Sequence, residues 1–448
     1  MSARTRALLF CFSLLTHACG EVGSEEPGAP IWSRLGANAS GDGIAFAPDG
    51  DVILVGHLSD PTDLGAGLVL DDWAMFVARY WAEGELRWAK TFEGSVFPNG
   101  VVVDADDDIF VAGSFRDEVD FGGDELDSGV YDRTSRSQSF IVSFDGDGEH
   151  RWSAGYGDDD TDTFADIVLL ADGGIAVAGY ANGDIDFGGG ELEGPGNFGS
   201  NAIVAAFDAD GTHRWGHLFG TEGDLEFDEA TGLAATPDGG VVVVGNVEGG
   251  VDFGGGVLGE AGDDVVHEFV ASFGPDGSHR SSRLVDDAGL GPMEIQDVAV
   301  SPDGETVYVT GSLKSSGEPT PFVAAFDLAG TMLWGHEGTG PGYGNELVAD
   351  ARGVAIVGRA DSPLSFAGAE IRGTGKTFFV LAMDEAGAVQ WADGMDATDD
   401  DAVIREPLIA THRSRLGFIG TLNGGVTTFE GEPIDLEEEG FIAHVFAR

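Results

Sequence analysis

The chain has 448 residues and carries 79 acidic against 22 basic side chains, a formal net charge of −57. That balance argues against nucleic acid as a partner, because such affinity comes from cationic contacts to phosphate, and equally against docking on anionic lipid headgroups. The only cysteines, Cys11 and Cys19, both sit near the N-terminus, so no disulfide is expected to brace the rest of the chain.

Arg4 and Arg6 open the chain, followed by an apolar stretch from Ala7 to Leu15 and by Thr16-His17-Ala18-Cys19. A basic start, a short apolar core and small residues before a cysteine resemble a bacterial lipoprotein signal. Residues 1–18 would be removed and Cys19 lipidated, which also blocks a lone thiol; the same residues suit an ordinary signal peptidase, which leaves a secreted soluble form as the alternative. Residues 19–30 read as the lipidated cysteine and a flexible tether, polar, acidic and rich in turn formers. From residue 31 to 448 the chain reads as one domain.

That domain repeats one unit seven times. A short apolar run closing on glycine recurs as Val52–Gly56, Ile109–Gly113, Ile175–Gly179, Val241–Gly245, Val307–Gly311, Val354–Gly358 and Leu416–Gly420. Each is followed by a second run: Phe76–Tyr80, Phe140–Phe144, Ile203–Phe207, Phe269–Phe273, Phe322–Phe326, Phe379–Met383 and Phe441–Val445. Turns such as Pro48-Asp49-Gly50, Pro237-Asp238-Gly239 and Pro302-Asp303-Gly304 precede several of the first runs, and Pro275-Asp276-Gly277 follows one of the second. Each unit therefore predicts four short strands in one antiparallel sheet, and helical periodicity is absent. A sheet that is apolar on both faces must be covered twice, which seven units achieve by stacking radially.

Tryptophan marks the fourth strand at Trp32, Trp88, Trp152, Trp215, Trp334 and Trp391, with Ser281 replacing it once, and is read as a wedge between units. The chain opens on a fourth-strand signature, Pro30–Gly36, and stops after a third strand. The expected fold is therefore all-β, a seven-bladed β-propeller of four-stranded antiparallel blades, closed by the N-terminal strand joining the last blade.

The segments Asp120-Phe-Gly-Gly123, Asp186-Phe-Gly-Gly-Gly190 and Asp252-Phe-Gly-Gly-Gly256, with Phe207–Trp215, resemble the SBBP-type β-propeller repeats of bacterial envelope and secreted proteins. The resemblance spans essentially the whole domain; it implies a propeller in an extracytoplasmic setting and supplies no catalytic residue. The fifth unit departs from it, read as lacking both the Asp-Phe-Gly-Gly loop and the Trp, and the seventh has Thr411–Ser414 in place of a Pro-Asp-Gly turn.

His150, His213 and His279 occupy one repeat position, which makes them structural, and a blade apart they cannot share a metal. The loops from one unit's last strand to the next unit's first are acidic: Asp158, Asp159, Asp160, Asp162 and Asp166; Asp224, Glu226 and Asp228; Asp286 and Asp287; Asp399, Asp400 and Asp401. In a propeller these loops meet on one rim, and oxygen-rich clusters suit Ca2+. The candidate metal ligands are Asp158, Asp160, Asp162, Asp224, Asp228, Asp399, Asp400 and Asp401; no other cofactor and no catalytic residue is indicated. The expected protein is a monomeric, non-catalytic, outer-membrane or cell-surface lipoprotein that binds a surface protein or glycan and meets the membrane only through its anchor. A calcium-dependent adhesive or structural protein is one rival. The other is an extracellular glycan-acting enzyme, which predicts a His, Arg or Tyr set beside rim carboxylates that breaks the repeat; Tyr131–Arg136 and Tyr343–Glu346 are its only candidates.

Overall fold

A computed structural model describes residues 27–448 apart from 61, 66–68, 71–73, 130–135, 158–159, 195–198, 222–226, 261–264, 286–291, 315–316, 362, 372–374, 397–402, 405–406 and 430–431. The repeats form seven small antiparallel sheets, the blades. Blade 4 shows the plan: an inner strand Glu229–Ala235, then Val241–Glu248, Val266–Phe273 and an outer strand His279–Leu284. The other inner strands are Gly43–Phe46, Ser95–Val103, Asp162–Leu169, Met293–Val300, Gly342–Asp350 and Leu408–His412. Each lies against the inner strand of the next blade, and the last touches the first, so the ring is closed. In blade 7 the strand Pro30–Ala37 pairs antiparallel with Glu432–Ala447 as the outer strand, so the two ends of the chain lock the ring as the phase of the repeat predicts.

Strand periodicity explains why the middle strands are apolar on both faces. Val241 and Val243 pack with blade 3, while Val242 and Val244 pack with blade 5. Successive side chains point to opposite faces, and both faces are covered. In blades 2 to 6 the glycine closing the second strand answers to the inner strand beside it. That strand carries a bulge, between Ala230 and Gly232 in blade 4 and between Ile295 and Asp297 in blade 5, which presses a backbone carbonyl against the glycine. A Cβ on Gly245 would lie 2.0 Å from the Glu229 carbonyl oxygen, and one on Gly311 1.9 Å from that of Glu294.

The tryptophans join successive blades. Trp88 donates its indole N–H to the Gly146 carbonyl of blade 2 at 3.1 Å, Trp152 to Ala209 of blade 3 at 2.9 Å, and Trp215 to Pro275 of blade 4 at 3.0 Å. Trp334 reaches Glu385 of blade 6 at 2.9 Å, and Trp32 reaches Ala82 of blade 1 at 3.2 Å. Each acceptor belongs to the tight turn between third and outer strands. The glycine of that turn has positive φ and lies on the face of the ring: a Cβ on Gly211 (φ +82) would sit 2.9 Å from Trp152 and one on Gly277 (φ +75) 2.7 Å from Trp215.

The unit without tryptophan is blade 4, not blade 5. Ser281 lies on the blade 4 outer strand, and blade 5 carries Trp334. At the vacant position Arg283 substitutes, donating to the Gly330 carbonyl of blade 5 at 2.5 Å with its guanidinium 5.2 Å from the Phe326 ring. Blade 7 differs as well: its second and third strands, Arg415–Phe429 and Glu432–Ala447, form one long hairpin.

Between blades 1 and 2 lies a clamp with no sequence forewarning. Arg79, 0% exposed, donates to Asp51 at 2.9 Å, to Asp107 at 2.8 Å, to Asp49 at 3.0 Å and to the Gly146 carbonyl at 2.9 Å. A buried guanidinium is tolerable only because these acceptors surround it.

Two glycines separate backbone strain from contact. Both Gly173 (φ +88) and Gly211 adopt positive φ, but a Cβ on Gly173 meets nothing within 4 Å. Gly173→Ala should cost about 1 kcal/mol from φ alone, and Gly211→Ala about 3 kcal/mol because the methyl also displaces Trp152. Chemical-denaturation midpoints of the two variants check this; equal losses would remove the indole contact from the account.

Candidate functional site

Connections from outer strand to next inner strand, and from second to third strand, emerge on one face of the ring. The three Asp-Phe-Gly-Gly segments lie among the latter. Asp252 accepts the amides of Gly254 and Gly256 at 2.7 and 2.8 Å, which holds its carboxyl below the ordinary range, and Phe253 is driven into the core. The glycines then cover the histidine of the outer strand: a Cβ on Gly123, Gly189 or Gly255 would lie 2.4–2.5 Å from the ring of His150, His213 or His279. His150 and His279 bond Ser153 and Ser282 at 3.1 and 3.0 Å. These histidines support loops, as their periodicity predicts.

Of the acidic candidates, Asp158, Asp224 and Asp399–Asp401 lie outside the described residues, as do Cys19 and residues 131–135 of the Tyr131–Arg136 segment. Asp160 lies 3.8 Å from the Arg136 guanidinium. Asp162 and Asp228 hold equivalent positions, each donating its backbone N–H to the carbonyl at the start of a third strand, Ser137 at 2.7 Å and Ser200 at 3.0 Å. The Asp228 carboxylate also accepts the Thr221 amide at 2.8 Å, the Thr221 hydroxyl at 3.1 Å and the Glu248 amide at 2.7 Å; burial nonetheless pushes it up to about 6. Its oxygens are spent on bracing the loop. Among the described residues no group of three or more His, Cys, Asp or Glu is arranged to hold a metal.

Asp166 belongs to the inner strand of blade 3 rather than to a rim loop, and it has two counterparts, Asp297 and Glu346. Each sits at the bulge and accepts a backbone N–H from the next blade's inner strand: Leu233 to Asp166 and Leu347 to Asp297, both at 2.8 Å, and Ile409 to Glu346. Burial at the centre of the ring is the main cause that raises all three carboxyls, Asp166 to about 7, and their mutual repulsion adds to it for Asp297 and Glu346. The sequence signal for Asp297 was an acid placed just before the apolar end of a first strand, Ile295-Gln-Asp-Val298, parallel to Phe164-Ala-Asp-Ile167.

Ser40, Asp42 and His57 come together in blade 1 on the same face, though their spacing gave no hint of it. The Ser40 hydroxyl and the Asp42 carboxylate both bond His57 Nδ1, at 2.6 and 2.8 Å, and the hydroxyl donates to the carboxylate at 2.8 Å. A proton relay needs acid and hydroxyl on opposite ring nitrogens. This arrangement is a closed knot of hydrogen bonds.

The segment Tyr343–Glu346 divides between two surroundings. Glu346 faces blade 7, whereas Tyr343 lines a cleft of ≈ 630 Å3 between blades 5 and 6 with Arg359, Asp361, Lys376 and Glu318. Tyr343 stands opposite Arg359 in the strand ladder, the guanidinium carbon 4.9 Å from the ring centroid, and Asp361 stands opposite Lys376. The walls are fixed by Gly342 donating to the Pro319 carbonyl at 2.8 Å and Asp361 to that of Pro341 at 2.9 Å. Tyr343 was legible as a break in the repeat; Arg359 and Lys376 were not, because they are brought to it by pairing across strands.

The inner carboxyls predict an inverted pH response. Their folded-state values lie above the unfolded ones, so folding favours the protonated forms and their contribution weakens as pH rises from the ordinary carboxylate range through about 7. Asp297→Asn retains an oxygen acceptor for Leu347 and removes the charge. It is expected to stabilise by on the order of 1 kcal/mol at pH 8 and to be near neutral at pH 5, read as the difference in unfolding free energy from wild type at each pH. A loss of stability at pH 8 would overturn the assignment.

No family model and no curated protein matches the chain. Among solved structures it is similar to Sqt1 from Chaetomium thermophilum, with 13% identity and a TM-score of 0.49 over 94% of this chain and 99% of that one. It is similar to the periplasmic gluconolactonase PpgL of Pseudomonas aeruginosa, with 14% identity and a TM-score of 0.46 over 91% and 98%. A third is virginiamycin B lyase from Staphylococcus aureus, with 9% identity and a TM-score of 0.42 over 93% and 100%. Likenesses this distant carry no activity across, and the propeller assignment stands on the sheet topology of the chain itself.

Proposed function

We propose that the chain is an exported envelope protein, anchored by a lipid on Cys19, whose propeller binds a surface protein or glycan and does not transform it. The observation that carries this reading is the cleft between blades 5 and 6. There, residues that break the repeat gather on a face bearing loops, whereas most of the other polar features described above are consumed in holding the ring. Binding sites are commonly concave, with a few convergent polar groups on a rigid scaffold, and this cleft is built on strands rather than on long loops. The knotted Ser40, Asp42 and His57 and the inner carboxyls bonded to neighbouring backbone favour binding over catalysis. The resemblance to SBBP-type repeats and the lipoprotein-like N-terminus support the envelope setting.

Two measurements test it. A fatty-acid analogue fed to the producing cells should label the wild-type chain and not Cys19→Ser, which should leave the membrane fraction; equal labelling removes the anchor. For binding, immobilised wild-type chain should retain an envelope component that Tyr343→Ala retains at least about tenfold less, the loss expected of a central aromatic contact. Glu305→Gln, exposed on the opposite face, is the control and should behave as wild type. Equal retention by all three chains overturns the assignment of binding to this cleft, and consumption of the retained component favours the enzymatic rival.

A further inference from the structure

The face opposite the cleft carries the turns between first and second strands and between third and outer strands. Across blades 6, 7 and 1 these turns break the repeat together. Trp81 opens the third-to-outer turn of blade 1 at the position that Asp145, Asp208, Asp327 and Asp384 hold in other blades, all five donating their N–H to the carbonyl four residues on. It is 44% exposed, the one exposed tryptophan among the described residues. The tight turns of blades 6 and 7 present Arg352 and Arg413, both exposed, where blades 1, 3, 4 and 5 present Asp49, Asp172, Asp238 and Asp303. We infer that this sector rests on anionic phospholipid headgroups of the membrane that holds the chain, and so turns the cleft away from that membrane. The inference rests on the anchored reading of the chain and adds a second contact with the bilayer to the one made by the anchor.

The residues of the sector are contiguous. Arg87 lays its guanidinium 4.4 Å from the Trp81 ring, Arg415 donates to the Ala82 carbonyl at 2.7 Å, Arg413 to that of Pro48 at 3.4 Å, and Arg352 to that of Arg413 at 2.7 Å. In blades 2, 3 and 4 the outer-strand arginines meet carboxylates instead: Arg151 with Asp108 at 2.9 Å, Arg214 with Asp172 at 3.0 Å and Arg280 with Asp238 at 2.7 Å. A carbonyl orders a guanidinium without cancelling its charge, and among the described residues Arg413 and Arg415 have no carboxylate within ion-pair distance. His412 registers that charge: burial first, then Arg413 and Arg415, hold it below its ordinary value. An indole beside arginine forks suits the headgroup layer, where the ring sits at the boundary between apolar and wet and the fork takes phosphate. The net charge of −57 is compatible with this, because at physiological salt exposed charges more than about 8 Å apart are largely screened. Glu83 and Glu85, exposed on the Trp81 turn, temper the attraction and make it sensitive to salt. The chain also enters the ring here. Gly28 (φ +80) donates to the Ala447 carbonyl at 2.8 Å, and a Cβ on it would lie 3.1 Å from Trp391, so it serves blade 7 as the turn glycines serve other blades. Cys19 lies eight residues before Pro27, a reach of at most about 29 Å, so an anchor on Cys19 keeps this face near the bilayer.

The test is quenching of tryptophan fluorescence by brominated lipid in vesicles of phosphatidylcholine alone or mixed with phosphatidylglycerol. The chain is used as cells process it, reconstituted through its own lipid or, if Cys19 carries none, coupled through that thiol to a maleimide lipid. Quenching with phosphatidylglycerol is expected to exceed that in phosphatidylcholine alone, and the excess to fall as salt rises and to vanish in Trp81→Phe. Arg352→Gln and Arg413→Gln, both on exposed turns, should each lower the ratio of docked to undocked chain by about fivefold, with melting temperatures equal to wild type showing that the ring is intact. Equal quenching with and without phosphatidylglycerol, or an excess that survives Trp81→Phe, overturns the inference. So does a Trp81 that responds to soluble polyglutamate and to neither vesicle, which assigns the sector to an acidic protein partner. Need for the maleimide route removes the lipid from Cys19, and the quenching then decides the sector on its own.

Discussion

The contact on which the whole ring depends is the indole of one blade's outer strand resting on the glycine turn of the next. It combines a donated N–H with a flat apolar face, and it needs a turn residue with no side chain at positive φ. Because it recurs from blade to blade, the rotation between sheets is set by the same local geometry each time, and a fixed rotation repeated seven times closes a circle. The last seam is made by Trp32, whose strand is supplied by the beginning of the chain. Closure thus couples the two ends of the sequence, and no terminal sheet is left with an open face. At the one seam where tryptophan is replaced by Ser281, Arg283 reaches the same turn of the next blade. The geometry of the joint is therefore more constrained than the residue that makes it.

Excess acid is handled in three ways, according to depth. On the surface, turn carboxylates accept neighbouring amides or the outer-strand arginines, as Asp238 does with Arg280, which holds that carboxyl down to about 2. Between blades 1 and 2, four residues share one buried charge. At the centre, Asp166, Asp297 and Glu346 are held by backbone amides of adjacent blades and pushed upward by burial, so the ring is sewn together at a cost that grows with ionisation. Loop acids such as Asp228 follow the same pattern, which makes an acid-rich rim by itself a poor guide to metal. A cation over an aromatic ring is a second device at this level of the ring, used by Arg359 on Tyr343 in blade 6 and by Arg116 on Phe97 in blade 2.

The sequence alone determined the number of blades, the four-strand unit, the order of strands and the closure by the N-terminal strand, because each follows from local periodicity and turn chemistry repeated along the chain. It also determined that Trp, His and Asp-Phe-Gly-Gly are structural, since a residue recurring once per blade serves what every blade needs. Only the tertiary structure decided which particular side chains meet. Arg79 with Asp107, Asp297 with Leu347, and Tyr343 with Arg359 and Lys376 are separated along the chain by turns or whole blades, and their meeting depends on strand register and on the angle between sheets. A one-residue shift in register would send Arg359 to the opposite face and dissolve the cleft. Sequence periodicity fixes the faces, but the register that brings the faces together is a property of the packed ring.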